Sequence, residues 1–324
     1  MIVLEGLIIE GLTHDDPTPA VVRAALQRAL ELEHSTIPPY LYALYSLKPG
    51  CNLEVSRVLE SVVIEEMLHM VLVSNILNAL GGAPELATPS FIPRYPGRLP
   101  GGVEQHLTVH LAPFSFEQLQ VFIEIEEPRS PLDHEGLLQR SLDETCTIGE
   151  FYTLIRRAIT RLDPSAFATS PRHQVGPTLV FGSVEVVDAV SADAALDIII
   201  SQGEGTATSP EEVAGFGGVN DVAHYYRFLE LQRGRRMVRQ AVNCDTFDFD
   251  FTGEPLVFDP DGVWDIATDP SVEGHPPGSK ERLLLERFNY TYTALLHQLD
   301  WFLNGHSGAT EFATVLELMR SLST

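Results

Sequence analysis

The sequence predicts an all-α protein: a four-helix bundle with a long crossover between helices II and III, a broken helix IV and extra C-terminal helices. Three observations carry this reading. Between Leu53 and Leu80, the residues Val55, Val58, Leu59, Val62, Glu66, His69, Met70, Val73 and Leu77 keep the i, i+3, i+4, i+7 spacing of a helix face turned to a core. Residues 83–146 break that pattern with Pro84, Pro89, Pro93, Pro96, Gly97, Pro100, Gly101 and Gly102, and only Phe116 to Glu126 reads as helix. Helical spacing then returns in separate blocks to the C-terminus.

Taken in order, residues 1–16 read as a short apolar arm ending in a polar turn. Helix I starts beyond Pro17 and Pro19, with Thr18 available as its cap. Val22, Leu26, Ala29, Leu30 and Glu33 share one of its faces. Ser35-Thr36-Ile37-Pro38-Pro39 predicts a kink or break before helical spacing resumes at Tyr40. Pro49-Gly50 ends that element, and helix II runs to Gly81-Gly82. Helix III is expected over about 148–161, further helices over 192–202 and 219–243, and a final pair over 280–304 and 309–322. Phe247 to Phe251 alternates with period two, which is extended structure. We read residues 1–324 as one domain, with a bundle core at about 18–243, an irregular excursion at about 245–280 and the C-terminal pair to about 322.

The chain carries 45 acidic against 21 basic residues, a formal charge of −24. That balance argues against nucleic acid and anionic membranes as partners, since both want basic patches. Cys51, Cys146 and Cys244 are isolated, so neither a disulfide framework nor a thiolate zinc site is expected. With no secretory signal and no 18-residue apolar span, the expected location is the cytoplasm.

Glu66-Met67-Leu68-His69 puts a carboxylate and an imidazole on a face that should be buried. Carboxylates rarely bury without a partner. Glu-x-x-His on a buried helix face is what dinuclear metal bundles use, together with one Glu from each of two helices and a second Glu-x-x-His. Helix I supplies Glu33 in its apolar stripe. Helix III supplies Glu150, with Glu144 as a fallback; Thr147-Ile148-Gly149-Glu150 is equally a capping-box spacing. Helix IV supplies His224, which lies four residues before Phe228 and seven before Leu231. Its carboxylate is expected to be Glu204, four residues after Ile200, brought back across a Gly-rich interruption; Asp221 is the alternative.

The segments Leu32-Glu33-His34-Ser35-Thr36-Ile37-Pro38-Pro39-Tyr40, Glu65-Glu66-Met67-Leu68-His69-Met70, Ile148-Gly149-Glu150-Phe151-Tyr152, Gln202-Gly203-Glu204-Gly205 and His224-Tyr225-Tyr226-Arg227-Phe228 carry a resemblance. So do Asn78 to Gly82, Pro93 to Gly97, Phe288 to Tyr292 and Asn304-Gly305. Together they resemble the ferritin-like family that contains the iminophenyl-pyruvate dimer synthase domain, found in the violacein and rebeccamycin pathway enzymes that couple two tryptophan-derived imines. Those enzymes are longer, and this chain has about the size of their ferritin-like part. The resemblance implies a ferritin-like fold and Glu33, Glu66, His69, Glu150, Glu204 and His224 as metal ligands.

Mixed oxygen and nitrogen ligands suit two iron ions, with manganese as runner-up. The expected function is a dinuclear non-haem iron oxidase or oxygenase using O2 on a small, aromatic or amino-acid-derived metabolite, in oxidative coupling by the resemblance. Tyr40, Tyr42, Phe151, Tyr152 and Tyr225 are candidates for the pocket wall. The alternative is a non-catalytic, iron-handling ferritin-like protein. Broad helical faces are compatible with a homodimer.

Overall fold

The computed structural model describes residues 2–100, 106–128, 147–168, 172–203, 205, 209–212, 222–241 and 247–322. Among them helix dominates, and extended structure is confined to one two-stranded ribbon and isolated bridges. The expected all-α fold is therefore present.

The apolar arm expected at the N-terminus is helical: α1, Ile2–Thr13, buries Ile8 and Leu12. Helix α2, Pro19–Tyr45, begins as expected: the Thr18 side chain accepts from Val21 N, and Pro19 opens the first turn. It does not break at Pro38-Pro39 but runs through both. A proline removes the amide that would bond the carbonyl four residues back. For Pro39 that carbonyl belongs to Ser35, and it accepts instead from the Tyr95 hydroxyl at 2.6 Å.

Helix α3, Leu53–Ala79, packs along α2 and is buried on almost all sides from Val62 onward. It ends where Gly81 takes φ +74 and the Gly82 amide bonds Leu77 O at 2.9 Å, a glycine-dependent helix stop. By length and composition α3 is apolar enough to cross a membrane, yet 89% of its most apolar window is buried inside the molecule.

The connection beyond α3 is not only a crossover. Helix α4, Phe116–Glu126, capped by Ser115, buries Leu119, Phe122, Ile123 and Glu126 and packs on the helix that carries His224. Helix α5, Ile148–Arg161, matches the expected helix III. Helix α6, Ala189–Gly203, lies on α3 and α5.

Helix α7, His224–Arg233, is shorter than the 219–243 reading. Gly234 stops it at φ +66, and the chain turns into β1, Val238–Ala241, paired antiparallel with β2, Phe247–Asp250. The period-two run thus forms a ribbon edge. Helices α8, Lys280–Leu303, and α9, Ala309–Ser321, make the expected C-terminal pair. Asn78 anchors α8 through a hydrogen bond to Leu303 O at 2.9 Å.

Candidate metal centre

Glu33, Thr36 and Tyr40 recur every three or four residues on α2 and face α3, where Glu66 and His69 lie one turn apart. Glu33, Glu66 and His69 are buried together, as are Glu66, Glu126 and His224. Each trio offers ligand atoms within 4.8 Å of one another, and the two share Glu66. Glu66 turns one oxygen to each side: Oε1 lies 3.0 Å from His224 Nδ1, and Oε2 lies 4.0 Å from His69 Nδ1. Glu33 Oε2 closes one trio at 3.2 Å from His69 Nδ1, and Glu126 Oε2 closes the other at 3.8 Å from His224 Nδ1. The imidazole centroids are 5.6 Å apart. A carboxylate shared by two imidazole-closed pockets is the layout of a two-ion site.

Each outer carboxylate is held by a phenol, Tyr152 donating to Glu33 and Tyr40 to Glu126. Thr36 Oγ1 sits 2.9 Å from Glu66 Oε2. Each imidazole is held at the nitrogen facing away from the carboxylates: His69 Nε2 by Gln202 Oε1 at 3.0 Å, and His224 Nε2 by Glu65 Oε2 at 2.9 Å. Both partners accept, so both histidines carry Nε2–H and direct Nδ1 at the carboxylates. Arg227 closes the network on Glu65, Nη2 to Oε2 at 2.9 Å, and also pairs with Glu212.

The electrostatics call for positive charge. Burial pushes the Glu66 carboxyl up, and Glu33 and Glu126 add to that, to about 8. Burial alone would push Glu33 up and His69 down, but their contact outweighs it, holding Glu33 low and His69 high. His224 behaves alike: burial opposes its charge, and the close carboxylates of Glu126, Glu65 and Glu66 keep it well above the ordinary imidazole range. Burial and the neighbouring carboxylates together raise the Tyr40 and Tyr152 phenols, which stay neutral donors. The arrangement favours positive charge among the carboxylates.

The donor set fits a cation. His224 Nδ1 is buried and makes no aligned hydrogen bond, although Glu66 Oε1 is 3.0 Å away. Three carboxylates and two imidazole nitrogens, all buried, are hard and borderline donors that suit divalent iron or manganese.

Of the residues singled out in the sequence, Glu33, Glu66, His69 and His224 are brought together. Glu150 is not with them. Its carboxylate accepts from the Thr147 amide at 3.0 Å while its own amide donates to Thr147 Oγ1 at 3.2 Å. This is the capping-box alternative, which fixes Glu150 at the start of α5. Glu204, Asp221 and Glu144 lie outside the described residues. Sequence reasoning missed Glu126, although Leu119, Phe122, Ile123 and Glu126 repeat the spacing that selects Glu33. Of the expected pocket aromatics, Tyr40 and Tyr152 touch the carboxylates, and Phe151 is core. Tyr42 bonds Ala267 O, and Tyr225 packs edge-on to Tyr226.

Comparison with known proteins agrees with this fold. The crystal structure of a ferritin-like protein from Caulobacter vibrioides superposes with a TM-score of 0.61 at 25% identity, over 93% of this chain and 94% of that one. No curated protein is a significant sequence match. A ferritin-like family model matches residues 26–233. That stretch opens on α2 and closes with α7, enclosing every side chain of the paired trios, and the chain belongs to the ferritin-like family.

Proposed function

We propose that this protein holds two iron ions between Glu33, Glu66, Glu126, His69 and His224 and uses them to oxidise a small metabolite with O2. The sharing of Glu66 between two buried trios carries the reading. Glu126 takes the role that chain order assigns to Glu150, and Glu204, close to α6 in sequence, is proposed as the further carboxylate. Three carboxylates leave two divalent ions one charge short of neutrality, which a fourth would supply. Manganese is the second choice.

An iron pair supplies the redox capacity that amino-acid side chains lack. The chain's own residues do the rest. Tyr152 and Tyr40 orient the outer carboxylates, and Gln202 and Glu65 fix the imidazole tautomers. The apolar packing of α2, α3, α4 and α6 excludes water from the carboxylates. The resemblance to imine-coupling enzymes supports an aromatic or amino-acid-derived substrate and an oxidative coupling. Partners are therefore O2 and a small molecule, with a homodimer in the cytoplasm as the working form. The acidic balance of −24 disfavours nucleic acid and anionic membranes.

Anaerobic iron loading followed by metal analysis and oxygen-uptake measurement tests the reading. Saturation near two irons per chain, with both iron and O2 consumption lost in Glu66→Ala, is expected. Uptake of tens of irons per chain would instead assign iron handling. Failure to retain iron would leave a helical scaffold without redox function.

A further inference from the structure

The two trios are matched in their phenols but not behind their imidazoles. His69 Nε2 meets a neutral amide, Gln202. His224 Nε2 meets a carboxylate, Glu65, which is 1% exposed. Glu65 is itself fixed: Arg227 reaches it through Nη2, donates from Nη1 to Ser61 Oγ at 3.0 Å, and donates from Nε to Val222 O at 2.6 Å. Arg227 also pairs with Glu212. Counting Glu65 and Glu212 against Arg227, the described residues behind His224 hold one net negative charge, whereas Gln202 contributes none. An imidazole whose N–H points at a carboxylate gives more electron density to an ion on its other nitrogen than one bonded to an amide.

We propose that the two ion positions are unequal, and that the one closed by His224 fills first and more tightly because Glu65, clamped by Arg227, stands behind its imidazole. This rests on the two-ion reading above. Glu65 and Arg227 are positioning residues; neither needs to touch an ion.

Cobalt(II) titration of the ion-free full-length chain, followed by calorimetry and visible absorption, tests this. The wild type is expected to bind two ions in separate steps. His69→Ala should keep one ion at the tighter affinity, and His224→Ala one ion at the weaker. Glu65→Gln, which keeps shape and removes charge, should weaken the first step about 10–100-fold. Gln202→Glu should tighten the second step and shift its absorption towards that of the first. A damaged fold does not tighten an ion site, so Gln202→Glu decides the matter if Glu65→Gln does not fold. Two equal steps, the tighter step surviving in His224→Ala, or an unchanged second step in Gln202→Glu would overturn the inequality while leaving the two-ion reading intact. Uptake of no ion, or of one in the wild type, would overturn both.

Discussion

Tyr95 donates its hydroxyl to the Ser35 carbonyl at 2.6 Å, the acceptor that Pro39 leaves without its helical partner. The bond comes from the loop beyond α3 and keeps α2 helical through Pro38-Pro39, between Glu33 and Thr36 on one side and Tyr40 on the other. Tyr95→Phe leaves that buried carbonyl unsatisfied. It should destabilise the chain by about 1–3 kcal/mol, measured by urea denaturation of the ion-free form. It should also weaken ion uptake, because Tyr40 shifts relative to Glu33. An unchanged midpoint would show that the proline step is satisfied otherwise.

Glu126 and Glu150 make opposite predictions. Glu126→Gln removes a charged donor from the trio with Glu66 and His224 and should reduce uptake below two ions per chain. Glu150→Gln retains the capping geometry with Thr147 and should leave uptake unaltered. Metal analysis after identical loading separates them. Thr147→Ala, which breaks the cap, should cost about 1 kcal/mol of stability with normal ion content.

Ion binding should be visible as stability. An ion that binds only the folded chain adds about 2.7 kcal/mol at 100 times its dissociation constant. The thermal midpoint should therefore rise on loading and fall again with a chelator. In Glu66→Ala, which removes the residue both trios share, the rise should vanish. A rise that persists there would place the ions elsewhere.

Arg227 is a fully buried cation between two buried carboxylates. Arg227→Met takes the cation from Glu212 and leaves Glu65 with His224 alone, and should cost about 3–5 kcal/mol, as removal of one partner of a buried pair does. Combining it with Glu65→Met should recover part of the loss, since no lone charge then remains at Glu65. A double-mutant cycle by chemical denaturation measures the coupling.

Much of this architecture was legible because helix faces repeat. Glu33, Glu66, His69 and His224 occupy positions where an apolar residue is expected, and a polar residue there needs a reason. Glu126 obeys the same rule, but it ends a short helix inside a Pro-rich stretch that reads as connection. The unbroken α2 could not be read locally, because the group that replaces the missing amide bond is Tyr95, well beyond the prolines in sequence. Nor could the pairing of His69 with Gln202, or of Tyr152 with Glu33, since those contacts exist only after the helices assemble. The short α7 was readable in part: Gly234 is a helix stop, and Val238 begins a strand.

By length and composition alone, helix α3 passes for a membrane-crossing helix. Its central residue is Glu66, with Glu65 beside it and His69 one turn on. A carboxylate at the midpoint of an inserting helix costs on the order of 2.5–3.5 kcal/mol, the value measured for aspartate and the basic residues. The side chains that gather in the paired trios therefore also make α3 costlier to place in a bilayer than its length and apolar content suggest. Replacing them with leucine would remove both the site and that cost.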